Sequence, residues 1–477
     1  MSLLAALVLV VVAAAGVLVV RPGPVDGWLS ADPASSPSAA PTPDPTPTPV
    51  LAAADTSGTA PTAAGVRAAI ASLLKAGPLG PQVNVSIADV ATGESLFEQN
   101  ADTMTTPAST TKLLTAATAL AARGPAYRLA TRAVAGAQPG EVVLIGGGDP
   151  TLSVGAKGQF PGAARLEKLA AQVKTALGGQ APTKVTIDTS LYEGPLTALG
   201  WDGDVIGGGQ VAKIQSLMTN AGRIEPVHNE FGGDPRFSDP ALAAGRAFAK
   251  QLGLAPGKVG KGKAPAAVES GTPSAAPSAA AGAAPAPGAE LGKVESPPLV
   301  HVVDWMLEQS DNVIAEALAR QVALAAGKTP SFEGAAEAMV AKLGELGLPA
   351  GEAALSDASG LSRRNRISPN LLTETLKLAA SGKNPELSAM FGGLPVAGWS
   401  GTLRTRFVTP APNRVGQGLV RAKTGTLTGV NTISGQLVTA DGRLLVFAIM
   451  ADRTGESVAA RQALDKIAAK LVTCGCT

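Results

Sequence analysis

The chain has 477 residues and a formal net charge of +2 at pH 7, from 39 Lys and Arg against 37 Asp and Glu. This length accommodates two or three domains, and so small a net charge gives no indication of a nucleic-acid partner. With two histidines and two cysteines, the chain has few residues from which a Ser-His-Asp triad or a metal site could be built. We therefore expect no metal and no cofactor. The histidines and cysteines are His228, His301, Cys474 and Cys476, the cysteines forming a C-terminal feature to which we assign no catalytic role.

The N-terminus carries a targeting signal. Residues 3–20 are an unbroken apolar run at the lower edge of membrane-spanning length, and we assign residues 1–21 to a signal or anchor segment. Residues 22–62, with the run PTPDPTPTP, predict an extended Pro/Ala/Thr-rich linker. The segment is either kept as a membrane anchor or cleaved to give a secreted protein. Both alternatives make the remainder extracytoplasmic, at the cell envelope, and the membrane is a partner only if the segment is uncleaved.

The predicted elements describe an α/β (α+β) domain that is split by an insertion. Alternation and helical periodicity predict, in chain order, a helix at 66–74, strands at 83–87 and 94–97, a helix at 107–124, β-rich runs around a helix at 163–177, a helix at 299–326, strands at 419–427, 432–438 and 443–451 with a turn at Asp441-Gly442, and a helix at 455–472.

The domain boundaries follow from changes in composition along the chain. We assign residues 63–130 and 299–473 to the two parts of the main domain, and residues 131–262 to inserted β-rich domains. Residues 263–298 are dominated by Ala, Pro, Ser and Gly. Such a stretch cannot bury enough apolar surface to order itself, so it is predicted to be a disordered surface loop.

The first motif with chemical potential is Ser109-Thr110-Thr111-Lys112, in the helix at 107–124. A serine hydroxyl needs a nearby base at neutral pH. Residues three apart on a helix project from neighbouring faces, so a neutral Lys112 amine can reach the Ser109 oxygen. Burial and a nearby cation favour the neutral amine. Alone, this pattern is weak evidence, because an exposed helix face produces it too.

A second motif, Ser310-Asp311-Asn312, interrupts the predicted helix at 299–326. Ser310 could relay protons between two lysines, and Asn312 could hold a substrate carbonyl, while Asp311 would point away and serve structure. Without further context, a polar break with a helix cap explains these residues equally well.

The third motif is Lys423-Thr424-Gly425-Thr426, in the strand predicted at 419–427. A lysine and two hydroxyl groups on an edge strand can bind a carboxylate. Gly425 would let a substrate backbone approach closely. The alternative is an ordinary strand end at the surface.

The three motifs in this order are far more specific than any one of them. S-x-x-K, S-D-N and K-T-G together are the signature of class A β-lactamases and penicillin-binding proteins. Because residues 113–309 separate the first two motifs, the chain resembles the class C low-molecular-mass penicillin-binding proteins, the D-alanyl-D-alanine carboxypeptidase/endopeptidase family. The resemblance covers about residues 65–473 and includes the stretches LIGGGDPTLS, DASGLSRRNRISP, LPVAGWSGTLRTRF and ISGQLVTADGRLLVFAIMAD.

The resemblance implies a fold and an activity. The fold is a penicillin-binding/serine β-lactamase-like transpeptidase domain, an antiparallel sheet with helices on both sides, which carries a large inserted two-domain β-rich module. The activity is a serine-type D-alanyl-D-alanine carboxypeptidase on peptidoglycan stem peptides, with the balance against endopeptidase cleavage left open. β-Lactam antibiotics would act as covalent inhibitors.

The resemblance also implies catalytic roles. Ser109 attacks the carbonyl between two terminal D-alanines, and Lys112 takes its proton. The backbone N–H groups of Ser109 and Thr426 form the oxyanion hole. Ser310 helps to protonate the leaving amine, and Asn312 completes the second motif.

Substrate-binding residues are implied in two groups. Lys423, Thr424 and Thr426 bind the terminal carboxylate, beside Gly425. Some members of the family also recognise the amine and carboxylate of a diaminopimelate side chain. The opposite charges of these two groups can pair with one acidic and one basic residue. The matching positions here are Trp201, Asp204 and Arg363, although ordinary surface charge explains Asp204 and Arg363 equally well. Asp149, in GGGDP, is interpreted as a turn former.

Two other functions remain open. A serine β-lactamase is disfavoured by the large insertion and by the lack of an obvious deacylating Glu after the second motif. A non-catalytic wall-binding or β-lactam-sensing protein on the same scaffold would have no need of both Ser109 and Lys112.

Overall fold

The structure is a computed structural model that describes residues 59–229, 233–266 and 285–474. The predicted signal or anchor segment, most of the linker and Cys476 lie outside these residues. Within them, no helix combines the length and apolar character needed to cross a membrane.

Strands and helices alternate irregularly along the described chain. The strands are β1 (Gln82–Asp89), β2 (Ser95–Gln99), β3 (Ala130–Ala135), β4 (Glu141–Ile145), β5 (Lys184–Asp188), β6 (Val259–Lys261), β7 (Glu290–Glu295), β8 (Ala353–Ala354), β9 (Arg366–Ile367), β10 (Val420–Leu427), β11 (Val430–Val438) and β12 (Leu444–Asp452). The helices are α1 (Ala63–Ile70), α2 (Thr111–Arg123), α3 (Leu166–Ala176), α4 (Pro240–Gln251), α5 (Leu299–Glu308), α6 (Asn312–Ala325), α7 (Phe332–Glu345), α8 (Pro369–Ala380), α9 (Pro385–Ser388) and α10 (Ser457–Val472).

The main sheet joins the two ends of the described chain. Its five strands run in the order β10-β11-β12-β1-β2, and every neighbouring pair is antiparallel. Successive residues of β12 point to opposite faces, so Phe447 and Ile449 enter one core with α1 and α10, and Val446 and Met450 enter another with α2 and α6. This confirms the predicted antiparallel sheet with helices on both sides.

The two helices beneath the sheet are buried along most of their length. All residues of α2 from Thr111 to Leu120 are buried, as are those of α6 from Asn312 to Ala323. A helix that is apolar all round belongs in the centre of a domain, and α2 and α6 pack against each other there. Lysine and glutamate side chains on these helices are therefore forced into the interior.

The long helix predicted at 299–326 is two helices instead. Ser310 has a positive φ of 57°, which an α-helix cannot include. Asp311 then begins α6 by accepting hydrogen bonds from the backbone N–H groups of Val313 (2.9 Å) and Ile314 (3.0 Å). The apolar periodicity continues across the break, which explains why the pattern alone predicts one helix.

The insertion contains a second sheet with its own core. Its strands run β6-β5-β4-β3-β7, with the pairs β4–β5 and β5–β6 parallel and the others antiparallel. Helices α3 and α4 cover it and share its apolar cluster, which includes Leu144, Ile187 and Phe248.

One predicted boundary of the insertion is wrong. Residues 290–295 lie in the stretch predicted as a disordered loop, yet they form β7 and pair with β3. The register shifts between Ala133 and Val134, and β7 buries just Leu291 and Val294, so it lacks the strict alternation that identifies a strand. The insertion therefore closes at β7 and not at residue 262.

The rest of the insertion is not β-rich. Residues 189–229 and 233–239, between β5 and α4, contain no strand of two or more residues. This segment packs instead into the core around α2 and α6, through residues such as Val211, Ile214 and Met218. The predicted two-domain β-rich module is thus one sheet unit plus a segment that joins the main domain.

A buried ion pair links two turns at one end of the main sheet. Arg443 donates to both carboxylate oxygens of Asp89, with a distance of 2.8 Å from Nη2 to Oδ1. Burial alone would raise the pKa of Asp89, but hydrogen bonds from Arg443 and Thr92 hold that pKa below its usual value.

Asp89→Asn is expected to lower the free energy of unfolding by about 3 kcal/mol at pH 7, because it removes the negative charge to which the buried Arg443 guanidinium donates two hydrogen bonds. Because the pKa of Asp89 is lower in the folded protein, its charge stabilises the fold at pH values above the unfolded pKa of about 4. This stabilisation is lost as pH falls through the folded-state pKa. The deficit in urea unfolding should therefore shrink at low pH. Asp441→Asn, at an exposed turn, is the control. Equal stability of both variants at pH 7 would contradict this role.

Candidate active site

Ser109 and Lys112 lie together at the start of α2. Ser109 sits in a short 3-10 turn, Ala108–Thr110, and Lys112 follows in the first turn of the α-helix. The Lys112 Nζ is 2.9 Å from Ser109 Oγ, 2.6 Å from Asn312 Oδ1 and 2.6 Å from the Ser359 carbonyl oxygen. The amine thus has three close oxygen partners.

The partners of Lys112 determine what a neutral amine can do. The Asn312 and Ser359 oxygens are carbonyl-type and can accept hydrogen bonds but not donate them. Asn312 Nδ2 donates to the Gln210 carbonyl oxygen at 2.9 Å, which fixes the orientation of the amide. A neutral amine has two N–H groups and one lone pair. Both N–H groups are taken by these acceptors, and the lone pair is left facing the Ser109 hydroxyl.

The pKa of Lys112 is compatible with a neutral amine near physiological pH. The side chain is completely buried, and burial lowers its pKa to about 8, although the charges of Asp357, Asp311 and Glu316 act to raise it. A general base works best when its pKa lies near the working pH. The environment therefore suits Lys112 to accept a proton.

Lys423 is the second buried cation of the site. It is fully buried on β10, and its Nζ donates to the Thr424 carbonyl oxygen at 2.9 Å. Burial, followed by the positive charge of Lys112, holds its pKa well below the usual value. The two lysines are thus close enough to influence each other, as the motif order predicts for a shared site.

Asp311 anchors the second motif to the inserted segment. Besides capping α6, it forms a buried ion pair with Arg223, whose Nη2 lies 2.8 Å from Asp311 Oδ2. Arg223 Nε also lies 2.7 Å from Asp234 Oδ2. Burial would raise the pKa of Asp311, but the charges of Arg223 and Arg236 lower it to about 2. Asp311 therefore fixes the backbone between Ser310 and Asn312 through its helix cap and its ion pair with Arg223.

Gly425 makes room for the turn that carries Ser109. A Cβ placed on Gly425 would overlap Thr432 Oγ1 and would lie 2.8 Å from the Pro107 carbonyl oxygen. Thr432 Oγ1 in turn donates to that carbonyl at 2.9 Å. The glycine thus allows the sheet to approach the Ser109 turn, whereas we predicted that it admits a substrate backbone.

A cleft of about 640 Å³ opens in front of these residues. Each of the three motifs contributes to its wall, together with the inserted segment. Lys112 and Lys423 lie beneath that wall. The motif residues that line it are Ser109, Ser310, Asp311, Asn312, Thr424 and Thr426.

The structure separates the three residues predicted to bind a diaminopimelate end. Arg363 lines the cleft, but its Nε lies 3.0 Å from each carboxylate oxygen of Asp202. Asp204 is exposed and does not line the cleft. Trp201 donates from Nε1 to Asp357 at 2.7 Å and packs its ring edge-on to Phe332. The acidic partner of Arg363 is therefore Asp202, not the Asp204 that the family resemblance implies.

Asp149 forms a turn, as predicted. Its Oδ1 accepts from the backbone N–H of Thr151 at 2.8 Å and from the Thr151 hydroxyl at 2.6 Å. Among the described residues there is no group of three or more His, Cys, Asp or Glu that could hold a metal ion.

Sequence reasoning missed the buried residues that support the motifs. These residues are Arg223, Asp357 and Glu316, which contact or influence the motif residues from distant parts of the chain. No local sequence pattern identifies Arg223. Glu316 had a signal, because it lies four residues after Asn312 and therefore on the same face of α6. Asp357 had a weaker one, as the first residue of the stretch DASGLSRRNRISP.

Comparisons with known proteins agree with this architecture. The model of the D-Ala-D-Ala carboxypeptidase 3 (S13) family matches residues 66–252 and 235–471. Over 433 residues the chain is 40% identical to carboxypeptidase Rv3627c of Mycobacterium tuberculosis, covering 90% of this chain and 88% of that protein. It is 39% identical to carboxypeptidase DacB of Mycolicibacterium smegmatis, covering 88% and 87%.

The chain belongs to the D-Ala-D-Ala carboxypeptidase 3 (S13) family. Its fold is also similar to the crystal structure of penicillin-binding protein 4 from Haemophilus influenzae, with a TM-score of 0.64 and 22% identity over 85% of this chain and 97% of that one. The family resemblance is therefore confirmed, as is the penicillin-binding fold class that it implies for the main domain.

Gly425→Ala should lower the rate at which this S13 family member is acylated by a penicillin, by roughly a hundredfold. The new methyl group would displace the Pro107–Ser109 turn, and a displacement of about 1 Å is enough for such a loss. Stopped-flow acylation measures the effect, with circular dichroism to verify folding. Gly257→Ala, with open space around its Cβ position, is the control. A Gly425→Ala variant with wild-type rates would refute the steric argument.

Proposed function

We propose that this S13 family member is a serine D-alanyl-D-alanine carboxypeptidase that acts through an acyl-enzyme on Ser109. One observation carries the proposal: a buried Lys112 amine lies 2.9 Å from Ser109 Oγ while two fixed acceptors occupy its N–H groups. When the amine is neutral, its lone pair is free to accept the serine proton.

In the acylation step, Ser109 Oγ attacks the carbonyl carbon of the scissile peptide bond as its proton passes to Lys112. The backbone N–H groups of Ser109 and Thr426 stabilise the developing oxyanion, a type of contribution that is large in a site with excluded water. Ser310, which lines the same cleft, relays the proton taken up by Lys112 to the amine of the leaving D-alanine as the peptide C–N bond breaks. Water then hydrolyses the ester.

The terminal carboxylate of the substrate binds beside β10. Thr424 and Thr426 line the cleft with their hydroxyl groups, and Thr424 Oγ1 lies 2.8 Å from Thr402 Oγ1. Lys423 adds an amine beneath them, and a carboxylate in the cleft would favour its charged form. Asn312 orients the Lys112 amine. This contact supports a role for Asn312 in positioning the base, in addition to its role in substrate binding.

The natural substrate is a peptidoglycan stem peptide, and β-lactam antibiotics acylate the same serine. Arg363 and Asp202 line the same cleft and offer opposite charges to a zwitterionic side chain. Asp202 takes the role that the family resemblance assigned to Asp204, and Trp201 supports the site through Asp357. The enzyme acts outside the cytoplasm, as its family does, either secreted or anchored through its N-terminal segment.

A β-lactamase activity has less support. The described residues that line the cleft include no glutamate, so the deacylating glutamate of class A enzymes has no counterpart among them. The acyl-enzyme formed with a penicillin is therefore expected to persist.

The proposed activity is tested with a fluorescent penicillin and a bis-D-alanine peptide. Wild-type protein should form a stable adduct at Ser109, located by mass spectrometry, and should release D-alanine. Ser109→Ala should lose both properties, because no other group can form the acyl-enzyme, while Ser388→Ala at an exposed position should keep them.

The other outcomes distinguish the alternatives. Rapid turnover of the penicillin would favour a β-lactamase, and an adduct without release of D-alanine would favour a β-lactam sensor. Failure of the wild-type protein to form an adduct would refute the assignment of Ser109. A cross-linked peptide dimer offered in parallel measures endopeptidase cleavage.

The acylation rate should depend on pH through Lys112. Its amine accepts a proton in the neutral form, which predominates above the pKa of about 8. The second-order rate with penicillin should therefore rise between pH 6 and 9 and fall about tenfold per pH unit well below that pKa. A rate that is constant from pH 6 to 9, with the fold intact, would exclude Lys112 as the base.

A further inference from the structure

Glu316 is a buried carboxylate to which neither the motifs nor the comparisons assign a role. It lies on α6 one turn after Asn312, and it is fully buried. Its Oε1 accepts hydrogen bonds from the backbone N–H groups of Ala358 (3.0 Å) and Ser359 (2.9 Å). A charged acceptor with two backbone donors makes hydrogen bonds stronger than neutral ones.

Glu316 holds the N–H group of the same residue, Ser359, whose carbonyl oxygen contacts Lys112. The Ser359 carbonyl oxygen accepts from Lys112 Nζ at 2.6 Å. The other fixed acceptor of that amine, Asn312 Oδ1, belongs to the same helix as Glu316. Helix α6 therefore sets both acceptors, one directly and one through the 358–359 backbone.

We propose that Glu316 is a positioning residue for Lys112, which fixes the Ser359 carbonyl against the amine and adds a negative charge that favours the protonated amine. The inference rests on the proposed function, since it concerns the base of that reaction. It gives Glu316 two separable effects, one on geometry and one on charge.

The surroundings of Glu316 leave its charge incompletely compensated. Its Oε2 is 3.5 Å from Arg320 Nη1, longer than a hydrogen bond. The Arg320 guanidinium also lies over the rings of Phe332 (4.1 Å) and Tyr192 (5.4 Å). Burial, followed by the charge of Asp357, raises the pKa of Glu316 to about 7, while Arg320 opposes this.

Several charges act on the Lys112 amine, from every element that packs around it. Asp357 from the loop before β9, Asp311 at the start of α6 and Glu316 within α6 favour its charged form. Lys423 from β10 is the cation that interacts with it. Glu316 can be neutralised by Gln while an oxygen that accepts its two backbone hydrogen bonds is kept.

Two substitutions separate geometry from charge. Glu316→Gln keeps an oxygen that can accept from Ala358 and Ser359 but removes the charge. Glu316→Asp keeps the charge but shortens the side chain by one methylene, so that the oxygen no longer reaches the same place. Glu337→Gln, on the exposed face of α7, is the matched control.

The measurement is the rate of penicillin acylation of the full chain from pH 6 to 10. Glu316→Gln should move the midpoint of the profile to lower pH by roughly one pH unit, the size of effect that a nearby charge produces. Glu316→Asp should lower the rate roughly tenfold to a hundredfold with its midpoint unchanged. Glu337→Gln should match wild type in both respects.

The fold of each variant is checked by thermal unfolding. If Glu316→Gln does not fold because Arg320 is left unpaired, Glu316→Gln combined with Arg320→Met removes the buried pair as a unit and is subject to the same expectation. A Glu316→Gln profile that superimposes on that of wild type would overturn the inference, as would variants that lose stability but acylate normally. If wild type itself forms no adduct at Ser109, the proposed function fails, a result distinct from a normal wild type with unaffected variants.

Discussion

The buried amine of Lys112 is the constraint on which the rest of the site depends. An amine in the interior is stable only when its N–H groups are matched by acceptors. Asn312 Oδ1 and the Ser359 carbonyl supply that match at 2.6 Å each, and neither can donate to the amine. When the amine is neutral, these two acceptors leave its lone pair directed at Ser109 Oγ, which lies 2.9 Å away. In the proposed mechanism, this buried amine serves as a base of defined orientation.

The insertion is part of this arrangement and not an appendage to it. Gln210, from the segment between β5 and α4, accepts the hydrogen bond that orients the Asn312 amide. Arg223, from the same segment, pairs with Asp311 and supports the start of α6. The sheet of the insertion has its own core, but this segment shares the core around α2 and α6. Its residues therefore act on the catalytic geometry directly.

Much of this could be predicted from the sequence, and the exceptions have a common cause. Ser109 and Lys112 are three residues apart on a helix, so local periodicity predicts their proximity, and the main-sheet strands alternate clearly enough to be located. Contacts between distant segments leave no local pattern: β7 pairs with β3 across the low-complexity tract, and Arg363 selects Asp202 over Asp204. Gly425 is predicted from the sequence to let a substrate backbone approach, and the backbone that lies close to it in the structure is that of the Ser109 turn.

The ionisation of Lys112 tests the central claim most directly. In protein labelled with 13C at the lysine Cε, the Lys112 signal can be assigned by its loss in Lys112→Met and then followed against pH. We predict a pKa of about 8, set by burial against the nearby carboxylates. A pKa close to the ordinary lysine value of about 10.4 in the folded protein would contradict the account, because the amine would then be charged throughout the physiological range.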